Sequence, residues 1–370
     1  MHKNKNNFNE EYIWGKIQKG VFIIAEIGKN FIQSEEEKKT EEYLENAKKL
    51  IKLAKESGAD AVKFQTHNLE DEQMNINIVS PHFKESDRYS WVKRNTNATP
   101  FEEFWKPLKQ YCDKKGIIFF STPMSRKAAV TLDALEVPFW KVGSGDVQDY
   151  VMLDYMIETG KPIIISSGMV SLDELDRIIK YIQSKGVPLA VLYCVSQYPC
   201  PAEDFNLSTI EYLKEKYPDI VVGFSDHSLG PNASLSAVKL GAKVIEKHFS
   251  FSRDLWGPDH KASITPEEMK KMVSAIRNNE YKNMDESTFY GIKEKELEGA
   301  NNKFRPYFNK SLVAGANIPA GTVITKEMIF AMRPKKYING LPSDKFGDVV
   351  GKKTKKDLNK YNPIKLEYLE

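Results

Sequence analysis

Cysteine is scarce in this chain: Cys112, Cys194 and Cys200 are the only three in 370 residues, and no two form a CxxC pair. An odd number without paired spacing excludes a disulfide framework and a cysteine-based zinc site, and it points to a reducing compartment. Long apolar runs are missing too. Nothing approaches eighteen consecutive apolar residues, so no membrane-spanning helix is expected. The opening MHKNKNNFNEEYIWGK is polar and carries no signal-peptide core. The expected location is cytoplasmic. Neither charge sign is in excess. Lys plus Arg is 54 and Asp plus Glu is 51, a net charge of +3, so neither a nucleic acid nor a membrane is expected as partner. Neither GxGxxG nor GxxxxGK(S/T) occurs, which removes support for dinucleotide and P-loop sites. Internal repeats and low-complexity tracts are absent as well.

What is present is ordinary globular material. Hydrophobic residues make up 41% and charged residues 28%, enough to build a core. The length exceeds one domain of about 150 residues. Eight β-type apolar runs recur: 21–28, 60–66, 116–123, 138–145, 162–169, 188–196, 220–226 and 242–249. Segments with i, i+3, i+4 apolar spacing separate them, such as ENAKKLIKLAKESGA. Several end in glycine before the next run, at Gly58, Gly116, Gly186 and Gly241, as helix C-termini do. Strand–helix alternation predicts a parallel sheet. Eight units favour a closed (β/α)8 barrel of the TIM type. The barrel is expected over 15–285, a linker over 286–307, and a small β-rich domain over 308–370. Residues 67–99 form a long polar insertion after the second run, which reads as a lid or binding loop.

In such a barrel the active site lies at the C-terminal ends of the strands. Those ends are polar here: Glu26, Lys63 and Gln65, Ser121 and Thr122, Lys141 and Ser144, Ser166 and Ser167, Ser196 and Tyr198, Ser225 and His227, Glu246 and His248. Period-two geometry puts Lys63 with Gln65, Ser225 with His227, and Glu246 with His248 on common faces. A lone strand-end serine is more often a helix cap than a ligand. The collective pattern on one rim is what a site looks like. Two lysines and several hydroxyls can hold a phosphate. Two histidines on the seventh and eighth strands can share one divalent ion with open positions. Cys194 and Cys200 read as small buried hydrophobes. His67, His82 and His260 lie in expected loops and read as non-ligands.

At these residues the chain resembles the sialic acid synthases and their legionaminate and pseudaminate relatives. The stretches that carry the resemblance are IAEIGKN (24–30), GADAVKFQTHNLEDE (58–72), IFFSTPMS (118–125), VPFWKVGSGD (137–146), GKPIIISSGM (160–169), YCVSQYPCPAEDFNL (193–207), VGFSDHSLG (222–230), VIEKHFS (244–250) and GPDHKAS (257–263). The tail, with KSLVAGANIPAGTVIT (310–325) and MRP (332–334), resembles the family's antifreeze-like (SAF) domain. The resemblance implies condensation of phosphoenolpyruvate with an N-acyl-mannosamine-type sugar to a nine-carbon 2-keto acid, with N-acetylneuraminate the favoured product. The rival readings are a 6-deoxy diacetamido sugar and a 6-phosphorylated one. Basic residues Lys84, Arg88, Lys93 or Arg94 near the site would favour the last.

By position, the resemblance implies that Lys63, Thr122, Lys141, Ser144, Ser166, Ser196 and Ser225 contact phosphoenolpyruvate. It makes His227 and His248 ligands of a divalent metal, Mn2+ first, with Mg2+ or Co2+ as alternatives. Gln65, Tyr198 and Asp259 become sugar contacts, Asp259 with a catalytic part as well, alongside His248. Glu26 becomes the group that handles protons. Arg333 becomes the tail arginine that enters the partner subunit's site in a domain-swapped homodimer and binds the N-acyl group. Three departures bear on sugar specificity: Phe31 where relatives often carry His, Met124 where they often carry Phe, and Lys335-Lys336-Tyr337 in place of a glycine-rich turn. Two other functions are kept beside this one. A 3-deoxy-sugar-acid synthase of another barrel family is opposed by the tail. A carbohydrate-binding protein without catalysis is opposed by the intact lysine, glutamate and histidine set.

Overall fold

Each apolar run forms a parallel strand, and the reason is visible in its residues. The stretch Ile163–Ser166 places three isoleucines in succession, all buried; such β-branched runs suit a sheet covered on both faces. In this computed structural model, residues 10–370 are described, apart from 82 and 298 and the side chains of 10 and 299–302. His82 lies outside the described residues. The eight strands are β1 (Phe22–Gly28), β2 (Ala61–Thr66), β3 (Ile118–Pro123), β4 (Trp140–Val142), β5 (Ile163–Ser166), β6 (Leu189–Cys194), β7 (Val221–Asp226) and β8 (Val244–His248). They hydrogen-bond in one sheet of order β3-β2-β1-β8-β7-β6-β5-β4. The edge strands β3 and β4 pack side by side, which makes the barrel nearly closed.

Local chemistry sets the helices between them. Ser171 and Thr265 form capping boxes with Glu174 and Glu268 at the starts of Leu172–Gln183 and Pro266–Arg277, each satisfying donors the helix leaves orphaned. Gly116, with φ +64°, closes Lys106–Lys115 in the left-handed region that glycine enters without steric cost. Helix Glu10–Lys19 buries Ile13 and Ile17 in the same core. No described helix is long and apolar enough to cross a membrane.

Register decides which side chains meet. Glu26 on β1 pairs with Lys63 on β2 and with His248 on β8. Glu246 pairs with Ser225, and Gln65 with Thr122. Thus four neighbouring strands deliver carboxylates, a lysine, a serine and an imidazole to one rim.

The long insertion is not an open loop. It holds helix Leu69–Glu72, a short antiparallel pairing of Val79–Ser80 with Phe83–Asp87, and helix Arg88–Ala98. The expected linker likewise contains helices Ser287–Tyr290 and Gly299–Phe308. The tail pairs β9 (Ser311–Ala314) with β10 (Ile329–Met332) around its own core of Leu312, Ile318, Ile324, Ile329 and Leu358. The tail sits on its own barrel. Lys310 Nζ reaches Asp149 at 2.7 Å and Asp146 at 2.8 Å. The backbone of Arg333 exchanges bonds of 2.9 Å with Glu72 and Met74 of the insertion. The resemblance assigned the tail arginine to a partner's barrel. Within this chain the contact is intramolecular, because Lys310, Glu72 and Met74 anchor the tail to the rim from which it descends.

Candidate active site

The cavity at the C-terminal rim has a volume of about 130 Å³ and gathers all the expected site residues except Ser196. Ser196 is fully buried behind Gly168, where a Cβ would meet the Ser196, Ser144 and Cys194 side chains. Gly168 is therefore required by close approach, and its N–H donates to Ser144 Oγ at 3.0 Å.

The floor is a charge network. Lys63 Nζ lies 2.9 Å from Glu26 Oε2 and 3.4 Å from Glu246 Oε1, and it donates to Thr122 Oγ1 at 2.9 Å. Lys141 Nζ donates to Ser166 Oγ at 2.7 Å and lies 3.9 Å from Glu246 Oε2. Ser225 Oγ donates to Glu246 Oε1 at 3.2 Å, and Gln65 Nε2 donates to Glu26 Oε1 at 2.9 Å. All four charged groups are buried. Removing one partner from such a set costs about 3–5 kcal/mol, because it strands the other charge.

The two glutamates are driven apart. Burial pushes the Glu26 carboxyl up to about 7, with Lys63 opposing and Glu246 adding. Burial also acts on Glu246, but Lys141 and Lys63 outweigh it and hold that carboxyl below its usual range. Burial pulls Lys141 down to about 8. Two carboxyls separated in this way mark an acid–base pair. The sequence marks Glu246 only as a polar strand end; its shared face with His248 is the signal that ties it to the site.

His227 and His248 stand with ring centroids 5.5 Å apart, and Tyr198 packs 4.0 Å from the first and 5.9 Å from the second. His227 Nδ1 donates to the Val195 carbonyl at 2.7 Å, which leaves Nε2 facing the cavity side of the ring. His248 Nδ1 is buried with no hydrogen-bond partner, and burial pulls that imidazole down to about 4, so it is neutral. This donor set fits a divalent ion held by two imidazoles. Among the described residues no group of three or more His, Cys, Asp or Glu side chains is arranged around a metal position. Cys194 is buried as expected, but it also lines the cavity, with Sγ 3.9 Å from His227 Nδ1. Burial opposes ionisation of both groups, yet their mutual attraction lowers the thiol and raises the imidazole.

The mouth is built by residues that strand logic did not find. Lys29, His67, Arg88, Trp91, Phe304 and Phe308 line it with Asp259, Met124 and Arg333. Arg333 pairs with Asp146 and lies over the Phe308 ring at 5.7 Å, with Arg88 over the same ring at 4.8 Å. The spacing of Phe304 and Phe308, one helical turn apart, was the available signal. Phe31 turns the other way, into a buried cluster with Phe104 at 4.9 Å and Tyr43 at 6.2 Å. Of the loop cations, Arg88 reaches the cavity, whereas Arg94 donates to the Ser34 and Glu35 carbonyls. His260 bonds Ser250 and the Ile32 carbonyl.

Known proteins resemble this chain in sequence and in fold. The chain matches the NeuB family over residues 50–287 and the SAF domain over 309–370. It is 34% identical to human N-acetylneuraminate-9-phosphate synthase, over 92% of this chain and 90% of that one. It is 32% identical to N,N'-diacetyllegionaminic acid synthase of Legionella pneumophila, over 94% of each. Its fold matches the crystal structure of the spore coat polysaccharide biosynthesis protein SpsE of Bacillus subtilis, with a TM-score of 0.77, 29% identity and 95% of each chain covered.

Proposed function

The chain belongs to the NeuB family of nonulosonate synthases, and on that premise we propose that it condenses phosphoenolpyruvate with an N-acylated hexosamine of the mannosamine type. The products are a nine-carbon 2-keto acid and phosphate. The observation that carries this reading is the convergence of Lys63 and Lys141 on Glu246 beside Glu26, at the rim of a parallel barrel. A carbohydrate-binding module has no use for that pairing. The lysines, with Thr122, Ser144, Ser166 and Ser225, take the phosphate and carboxylate of phosphoenolpyruvate. Its C3 attacks the sugar aldehyde, Glu26 takes the proton of the water that adds at C2, and a proton passes to the alkoxide left on the former aldehyde oxygen. The C2–O bond to phosphate then breaks, with the lysines holding the departing charge. His227 and His248 would hold a divalent ion, which supplies Lewis-acid polarisation of the aldehyde when bound.

Identity to the curated relatives spans sugars of different kinds, so the mouth decides among them. A second reading, a sugar bearing a phosphate, is favoured by Arg88. Its guanidinium is buried, its Nε has no hydrogen-bond partner, and among the described residues no carboxylate lies within 4.0 Å of it. A buried cation without a counter-ion calls for an anion from the ligand. The test is phosphate release from phosphoenolpyruvate with Mn2+, using N-acetylmannosamine, its 6-phosphate and two 6-deoxy diacetamido hexoses. Release with any of these sugars supports the reaction class. A preference for the 6-phosphate that falls about tenfold or more in Arg88→Ala supports the second reading, at roughly 1.5–3 kcal/mol for a hydrogen bond to a charged group. No release from any sugar by folded, metal-supplied protein sinks the proposal.

A further inference from the structure

Two buried groups lining the cavity, and a third packed behind them, have no part in the scheme above. They are Lys29, His67 and Glu72, each less than a tenth exposed. Lys29 follows Gly28, whose φ is +54°. The turn is fixed by Asn30, whose amide donates to the Phe249 carbonyl at 3.0 Å and to Ser263 Oγ at 2.9 Å. Lys29 Nζ lies 3.0 Å from His67 Nε2. On the other side of the ring, Nδ1 lies 2.7 Å from Glu72 Oε2. An ammonium only donates, so Nε2 must accept and the ring proton must sit on Nδ1, donated to Glu72. Burial pulls His67 down to about 4, in keeping with a neutral ring.

This cation differs from the others at the rim. Lys63, Lys141, Lys310 and Arg333 each have a carboxylate within 4.0 Å. Lys29 rests instead on a neutral acceptor, and among the described residues no carboxylate lies within 4.0 Å of its Nζ. Burial pulls it down to about 8; Arg88 acts in the same direction, and Asp259, Glu72 and Glu26 oppose. Those groups, from β1, the two insertion helices and the loop after β8, are the charges that face it. Asp259 shares its wall: a Cβ on Gly28 would lie 3.5 Å from Asp259 Oδ2 and 3.1 Å from Glu26 Oε1.

The proposed reaction has a step with no assigned catalyst. An aldohexosamine rests as a cyclic hemiacetal, and a carbon nucleophile attacks only its free carbonyl. Opening the ring needs a proton delivered to the ring oxygen and another removed from the C1 hydroxyl. We propose that Lys29, positioned by His67 and Glu72, opens the sugar ring inside the cavity as general acid, with Asp259 as base. The C1–O5 bond breaks, its electron pair stays on the ring oxygen, and Lys29 protonates that oxygen. The C1 hydroxyl gives its proton to Asp259, and the O–H pair becomes the carbonyl π bond. One proton enters and one leaves the sugar, so no co-reactant is consumed. Asp259 passes its proton back to Lys29 to reset the pair. The assignment rests on the synthase reading above.

The test uses the full chain with Mn2+ and two sugars: N-acetylmannosamine and its 4,5-dideoxy analogue, which cannot close a five- or six-membered ring. In Lys29→Gln the ratio of cyclic to acyclic turnover is expected to fall by about 10²-fold, the scale of one general acid. Glu72→Gln should lower the same ratio by a smaller factor, and it carries the measurement if Lys29→Gln does not fold. A ratio unchanged from wild type overturns the assignment. Anomer exchange of N-acetylmannosamine, followed by NMR without phosphoenolpyruvate, is the second readout. Acceleration by wild type that is lost in Lys29→Gln supports the relay, and equal acceleration by both proteins overturns it. Wild-type protein that turns over neither sugar, yet accelerates anomer exchange, overturns the synthase reading and leaves the ring-opening site standing.

Discussion

The floor of the cavity and its mouth both concentrate positive charge, but they neutralise it differently. On the floor, Lys63 and Lys141 share Glu26 and Glu246 at distances from 2.9 to 3.9 Å. At the mouth, Arg333 pairs with Asp146, whereas Lys29 leans on neutral His67 and Arg88 lies over an aromatic ring. Internal carboxylates let the floor stay folded and charged when nothing is bound. The mouth lacks that compensation at two of its cations, so under the proposed function its charge balance depends on what the sugar brings. Under the proposed function, reaction type is thereby built into strand ends, and substrate choice into the insertion and the tail.

The sharpest way to break this contrast is at the floor. Lys141→Ala removes a cation that the proposed function assigns to phosphate, and leaves Glu246 with Lys63. A fall in kcat/KM of about 10³-fold is expected, the upper range for removing one preorganised electrostatic contact. Steady-state phosphate release checks it, with circular dichroism to confirm folding. A fall below tenfold would place the phosphate elsewhere. Glu26→Gln comes next, at about 10²-fold, and it also has a pH signature. A base must be ionised, and Glu26 is pushed up to about 7. The wild-type rate should therefore rise as pH passes upward through about 7. That limb should vanish in Glu26→Gln, while Lys63 keeps its partner Glu246 at 3.4 Å. A variant that retains the limb assigns it to another group.

The same division explains what the sequence alone could reveal. The eight strands and their polar ends are legible because period-two alternation and buried β-branched runs are local signals. Glu26, Lys63, Lys141, His227 and His248 follow from them, and the register then joins Glu26 to both Lys63 and His248. The mouth is made by contacts between distant segments. Phe304 lies in the expected linker and Phe308 at the first position of the expected tail domain, and only folding places them beside Arg88 and Arg333. Lys29 registers in sequence only as part of an altered motif, because nothing local tells that its amine will meet His67, 38 positions away.

The smallest expected effect concerns a residue that looks like a mouth residue and is not one. The family resemblance sets a His at the position of Phe31, which invites the view that this chain lost a sugar contact there. Its ring is fully buried against Phe104, Tyr43 and Phe64, away from the cavity. Phe31→His would therefore set a polar ring in an aromatic cluster and gain nothing at the sugar. Stability should fall by about 1–3 kcal/mol, the cost of a buried polar group without a partner, as read from urea unfolding. The sugar KM should stay within about twofold, far below the 1.4 kcal/mol that corresponds to a tenfold change. If KM instead drops while stability holds, the position faces the sugar after all. The boundary between floor, mouth and core drawn here would then have to move inward by one turn of chain.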